Sequence, residues 1–122
     1  MSSMHRDIKG SGRVHHLTAE EGAIDSSLLE RTGRSGRTLV KEGALRVTLL
    51  VLAPGADLPA HHADGPVTIH VIKGEMELRA QGTSHFMREG DLVALEANAE
   101  HSVHSEPGAK FLVTVVHSDP AS

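Results

Sequence analysis

From Leu39 onward the chain breaks into short β-rich runs separated by turn residues, and this alternation constrains the fold more than any other feature. The runs fall near Gly36–Lys41, Ala44–Ala53, Val67–Lys73, Glu75–Ala80, Ser84–Arg88, Leu92–Leu95, His101–His104 and Lys110–His117. Between them stand Lys41-Glu42-Gly43, Pro54-Gly55, Asp64-Gly65-Pro66, Lys73-Gly74-Glu75, Gln81-Gly82-Thr83, Glu89-Gly90-Asp91, Asn98-Ala99-Glu100 and Pro107-Gly108. Each interruption supplies a residue that tolerates positive φ, has φ fixed by its ring, or bonds its own backbone. Many short strands with almost no helix among them predict an all-β antiparallel sandwich or barrel. A length of 122 residues suits one such domain and not two, and 39% hydrophobic with 23% charged residues is a globular composition.

Ahead of the strands, Ser27-x-x-Glu30 has the spacing of a capping box around Leu28 and Leu29, with Gly33 as a stop, and predicts a short helix over Ser27–Thr32. Thr18-x-x-Glu21 offers a second helix start, and the first dozen residues, with few apolar anchors, read as a mobile arm. The cluster RTGRSGR at 31–37 could pair with phosphates, but its Gly/Ser setting reads as a surface connector whose arginines meet water or nearby acids. The expected organisation is an arm with a short helix over 1–36, a barrel over 37–118 and a tail over 119–122.

Composition excludes several partners. The net charge of −4 divides into +2 over residues 1–41 and −6 over the rest, and the aromatics are only Phe86 and Phe111, so stacking and phosphate contacts with nucleic acid are not expected. The longest apolar run, Leu49–Ala53, is far short of a membrane span, and the opening residues lack a hydrophobic leader. With no cysteine to form disulfides or thiolate sites, the expectation is a cytoplasmic protein with no membrane partner. Neither a G-x-S-x-G nucleophile turn nor a phosphate-binding glycine loop occurs.

Histidine is the exception to this bland composition, with ten copies. Imidazole is the commonest metal ligand and the side chain that titrates near neutrality. Five residues separate Gly55 from His61; the strand VTIHVIKGEMEL follows, with Gly74 at an expected hairpin; Gly90-Asp91 then opens LVALEANAEHSV, with His101 eleven residues after that glycine. This arrangement resembles the two motifs of the cupin family over roughly residues 37–118. The family's order is glycine, five residues, His-x-His, a Glu, six residues and glycine, then glycine, five residues, Pro-x-Gly, two residues and His. The resemblance implies a double-stranded β-helix, a jelly-roll-like barrel with a ligand pocket between its sheets.

At the positions where the family carries its metal ligands, the match is partial. His61 and His101 stand at two of them, whereas Ala63 replaces the second histidine and Val67 the acid, and Glu96 and Asn98 replace the proline and glycine of the second motif. His61 and His101 are therefore the candidate ligands of a divalent transition metal (Zn, Fe, Mn or Ni). Strand parity places Val67, Ile69 and Val71 inward and His70 outward, and His101 and Val103 inward with His104 outward, unless a bulge re-aims them. His62 should oppose His61 on a regular strand. His62, His70 and His104 form a second tier from which a third ligand could come, since such a metal takes three or four protein ligands.

Three functions of different kinds follow. One is a binding module whose pocket, lined by Val67, Ile69, Val71, Leu95 and Val103, takes a small organic ligand anchored by His61 and His101. Another is a metal-dependent enzyme, an oxygenase, isomerase or decarboxylase acting on a small acid or carbonyl compound; no inward carboxylate is evident as its base, with Glu96 and Glu100 at the rim and Asp64 in a turn. The third is a metal-free dimeric scaffold. Leu49–Ala53 is apolar on both strand faces, so its outer face needs covering by residues 14–40 or by a second copy; with the pairing habit of the family this predicts a homodimer. Outward His70 and His104 at such a contact would make it acid-sensitive.

Overall fold

The computed structural model describes residues 12–17 and 26–118. The arm before residue 12, the Thr18-x-x-Glu21 helix start and the tail lie outside the described residues. Along the described chain run one helix, α1 (Ser26–Thr32), and eight strands: β1 (Arg34–Glu42), β2 (Leu45–Leu52), β3 (Ala56–His61), β4 (Val67–Ala80), β5 (Thr83–Arg88), β6 (Leu92–Leu95), β7 (His101–Ser105) and β8 (Ala109–Val116). Every pairing is antiparallel, in the order β1-β2-β8-β4-β7-β3, with β5 and β6 also bonded to β4. The sheet curls on itself into the all-β antiparallel barrel that the strand spacing predicts, in the jelly-roll-like form that the resemblance implies.

Strand β4 makes the curl. Its first half, Val67–Gly74, pairs with β8 and β6, and its second half, Glu75–Ala80, pairs with β5 and β7. The sequence predicts a hairpin at Gly74; the structure instead carries one strand through it and changes sheets there. Gly74 has φ of +88°, and a Cβ at that position would lie 2.3 Å from the carbonyl oxygen of Gly108. Only glycine meets both demands, so the break in the β pattern marks a corner and not a turn. An extra residue between Val71 and Lys73 in the β4·β8 register adds to the bend.

Between the two sheets lies one core, in which Phe111, Ile69, Leu78, Val71 and Val103 are fully buried. Each comes from the alternate position of its strand, as a pleated sheet requires. Leu39 and Leu49, 2% and 0% exposed, are buried outside that cluster. The chain thus covers part of its own outer face: Lys110 of β8, 4% exposed, donates from Nζ to the Leu17 carbonyl at 3.2 Å. The two-faced run at Leu49 therefore does not by itself call for a second copy.

Two local expectations shift. Helix α1 starts at Ser26, one residue before the Ser27 spacing, and stops where Gly33, at φ +79°, donates its N–H to Leu29. The 31–37 cluster is no loose connector: β1 begins at Arg34, ahead of the expected barrel boundary at 37, and Ser35 is buried against β2. Among the described residues no helix is long and apolar enough to cross a membrane.

Candidate functional site

Strand β3 is the element that the sequence does not announce. Its residues, ADLPAH, have neither apolar alternation nor β-branched side chains, and Pro59 lacks an N–H to give to a ladder. It forms because it lies at the edge of its sheet, where pairing on one side with β7 suffices. The register runs Leu58 opposite Val103 and then His61 opposite His101, three steps on β3 against two on β7. Strict alternation would aim His61 away from the side Leu58 faces; the extra residue at Pro59–Ala60 restores it to the side of His101.

The two imidazoles meet there, with ring centroids 4.2 Å apart and planes tilted by 59°. They stand at the end of the second sheet remote from the Gly74 corner, where His101 is paired with Ala80 at the end of β4. His101 is 3% exposed, whereas His61 is exposed. Both rings are oriented by one device: His61 Nδ1 bonds the Pro59 carbonyl at 2.9 Å, and His101 Nδ1 the Ala99 carbonyl at 3.0 Å. A carbonyl only accepts, so each Nδ1 carries its proton and donates, and in the neutral ring the lone pair is left on Nε2. Burial pushes the His101 pKa below the usual histidine value of 6.5, opposed by the Ala99 hydrogen bond and reinforced by the nearby charges of His61 and His62. A cavity of about 160 Å³ opens beside His101, with Arg79, Gln81 and Glu100 on its walls.

The second-tier histidines go elsewhere. His62 is exposed, close enough for its charge to bear on His101. His70 lies on the outer face of the first sheet, opposite Leu112 and Leu92, with Val67, Ile69 and Val71 facing inward beside it. His104 lies on the outer face of the second sheet. Among the described residues, no three or more His, Cys, Asp or Glu side chains are placed to hold a metal ion. Two imidazoles do not fit a resident first-row metal, which takes three or four protein ligands. Of the residues expected to line a pocket, Val67, Ile69, Val71 and Val103 belong to the packed core at 3%, 1%, 0% and 2% exposure, and Leu95 packs against it half-buried.

Sequence reasoning missed two histidine–carboxylate clusters. His104 Nδ1 reaches Asp57 Oδ1 at 2.7 Å and its Nε2 reaches Glu106 Oε2 at 3.0 Å, which raises its pKa, the Glu106 bond first and the Asp57 bond second. Carboxylates only accept, so both bonds together need the imidazolium. His117 Nδ1 donates to Asp64 Oδ1 at 2.6 Å, and that bond holds the Asp64 carboxyl below its usual value. Asp57 is 47 residues from His104, and Asp64 is 53 from His117, so no local spacing could have paired them.

A small curled antiparallel barrel with paired imidazoles at its open end defines a class of compact β-barrel protein. The family model of the cupin domain matches residues 48–117, and the chain belongs to the cupin family. No curated protein sequence matches it. A cupin superfamily protein of Desulfitobacterium hafniense superposes with a TM-score of 0.67 at 14% identity, over 70% of this chain and 78% of that one. The conserved SPY1581 protein of unknown function from Streptococcus pyogenes gives 0.73 at 22% identity, over 98% and 97%. A point mutant of salicylate 1,2-dioxygenase from Pseudoaminobacter salicylatoxidans gives 0.75 at 15% identity over 84% of this chain, which spans only 34% of that enzyme. At these identities the likeness is one of fold.

Proposed function

We propose that the protein binds a small organic ligand at the His61–His101 pair through a hydroxyl or N–H group of that ligand. The observation that carries this reading is the shared orientation: both Nδ1 atoms are committed to carbonyls, so in the neutral rings both Nε2 atoms are acceptors. His101, held neutral by burial, offers a lone pair and not a charge, which favours a donor group over a bare anion. The cavity of about 160 Å³ that has Ala60 and His101 on its walls is below the roughly 300–1,000 Å³ of drug-sized sites.

A second reading has its own support in the same atoms. Carbonyl-bound Nδ1 with free Nε2 is the arrangement by which proteins orient metal-ligating imidazoles. Here two protein ligands would leave most of a divalent ion's shell to the organic ligand and water, giving weak, ligand-dependent binding. The homodimer is likewise a proposal, supported by the pairing habit of the family.

One experiment separates these readings. Protein purified without an affinity tag is analysed for metal, then titrated by NMR with a panel of small hydroxy acids, alone and with Zn²⁺ or Mn²⁺. Direct binding predicts less than stoichiometric metal and metal-independent shifts of the His61 and His101 ring protons, abolished in His61→Ala. Stoichiometric metal lost in that variant would replace the first reading with the second. Shifts confined to other residues would sink both.

A further inference from the structure

We propose that a second ligand site lies on the opposite side of the barrel, against the outer face of the first sheet, and takes a small carboxylate with an apolar body. A cavity of about 520 Å³, within the size range of small-molecule sites, is walled by Leu29 of α1, Val51 and Leu52 of β2, Pro107, and the lysines Lys73 and Lys110. It adjoins the Gly74 corner and not the histidine pair, so it is independent of the reading given above.

The two lysines give the site its chemistry. Lys73 of β4 and Lys110 of β8 stand directly opposite each other in the ladder. Like charges in that register repel, and a sheet tolerates them at a cost in stability. Both line the cavity; Lys110 is almost wholly buried at 4% exposure, whereas Lys73 is exposed. The Nζ of Lys110 donates to the Leu17 carbonyl, and both lysines make further interactions within the chain. An ammonium has three donors, so a carboxylate oxygen can join or exchange with these partners. It would form charge-assisted bonds. Leu29, Val51, Leu52 and Pro107 offer only carbon to the remainder of the ligand, which is why an aliphatic acid fits better than a sugar acid or inorganic phosphate.

Decanoate and 1-decanol are the probes, titrated calorimetrically and by NMR into the full-length protein below their aggregation limits. The expected result is saturable decanoate binding at one site, with 1-decanol at least tenfold weaker. Lys73→Gln, at an exposed position, should weaken decanoate tenfold and leave the circular dichroism spectrum unchanged; Lys110→Met should weaken it further. His61→Ala should leave it unaltered. Absence of saturable binding up to 1 mM, equal affinity for the alcohol, an unchanged affinity in Lys73→Gln, or loss in His61→Ala would each overturn the assignment. The last outcome would place the acid at the histidine pair instead, so failure here is distinguishable from failure of the first site.

Discussion

His101 and His104 lie three residues apart on one five-residue strand and live in opposite chemistries. The first points inward, is almost fully buried, and gives Nδ1–H to a backbone carbonyl; burial drives its pKa down. The second points outward and holds a carboxylate on each nitrogen, which drives its pKa up. On a strand without a bulge, side chains three apart take opposite faces, so parity set which histidine went inward and which went outward to meet Asp57 and Glu106. The abundance of histidine in a chain says little until the face is known.

The most damaging way to break this contrast is to remove what creates two faces. Gly74→Ala places a Cβ against the Gly108 carbonyl and forces φ of +88° on an alanine, so the corner of β4 must open. The expected loss is about 3 kcal/mol or more in urea unfolding, with both histidines returning toward ordinary titration. Next in size, His101→Ala empties a buried position and should cost about 2 kcal/mol, the range of large-to-small core changes. The same substitution at His104 removes only exposed contacts and should change unfolding far less. Equal losses at the two sites would mean that the faces are not as different as their burial indicates.

The legible part of this arrangement was its alternation. Val67, Ile69 and Val71 have the period of a half-buried strand, and from them the outward direction of His70 follows without coordinates. The Gly55–His61 and Gly90–His101 spacings likewise single out the two histidines whose rings meet. Not legible was β3, because Asp57 and Pro59 erase its pattern, and with it the bulge that turns His61 toward His101. Bulges leave no mark in hydrophobic periodicity, since they exist only as a mismatch between two strands. The partners of His104 were hidden for a related reason: Asp57 reaches it across that unrecognised pairing. Within the chain, protonation of His104 makes bonds to Asp57 and Glu106 instead of burying an unpaired charge.

Deleting Ala60 sharpens the contrast at the other end of the pair. With the extra residue gone, β3 and β7 advance in step and His61 turns outward, to the face of His104. The cross-strand ring contact at 4.2 Å should vanish from nuclear Overhauser spectra, while β3, an edge strand, should lose about 1 kcal/mol. A persisting contact would show that the loop before Val67, and not the bulge, aims His61.

The smallest effect is the most diagnostic, because the two histidines must act in different pH windows. His104 has a folded pKa raised above the ordinary 6.5, so its contribution is fully present below 6.5 and is lost as pH rises through the higher folded value. His101 has a folded pKa depressed below 6.5: both states are neutral above that value, and as pH falls beneath it the unfolded chain takes up protons first, so stability drops. His104→Ala should therefore flatten the pH dependence of unfolding on the alkaline side of 6.5, and His101→Ala on the acid side, each leaving the other limb intact. Asp57→Asn and Glu106→Gln should return the His104 ring-proton titration toward 6.5, with Glu106→Gln having the larger effect, and should leave His101 unmoved. His104 exposes its ring to solvent and its clasp is screened, so raising the salt concentration should shrink the alkaline limb and spare the acid one, whose origin is desolvation and not ion pairing.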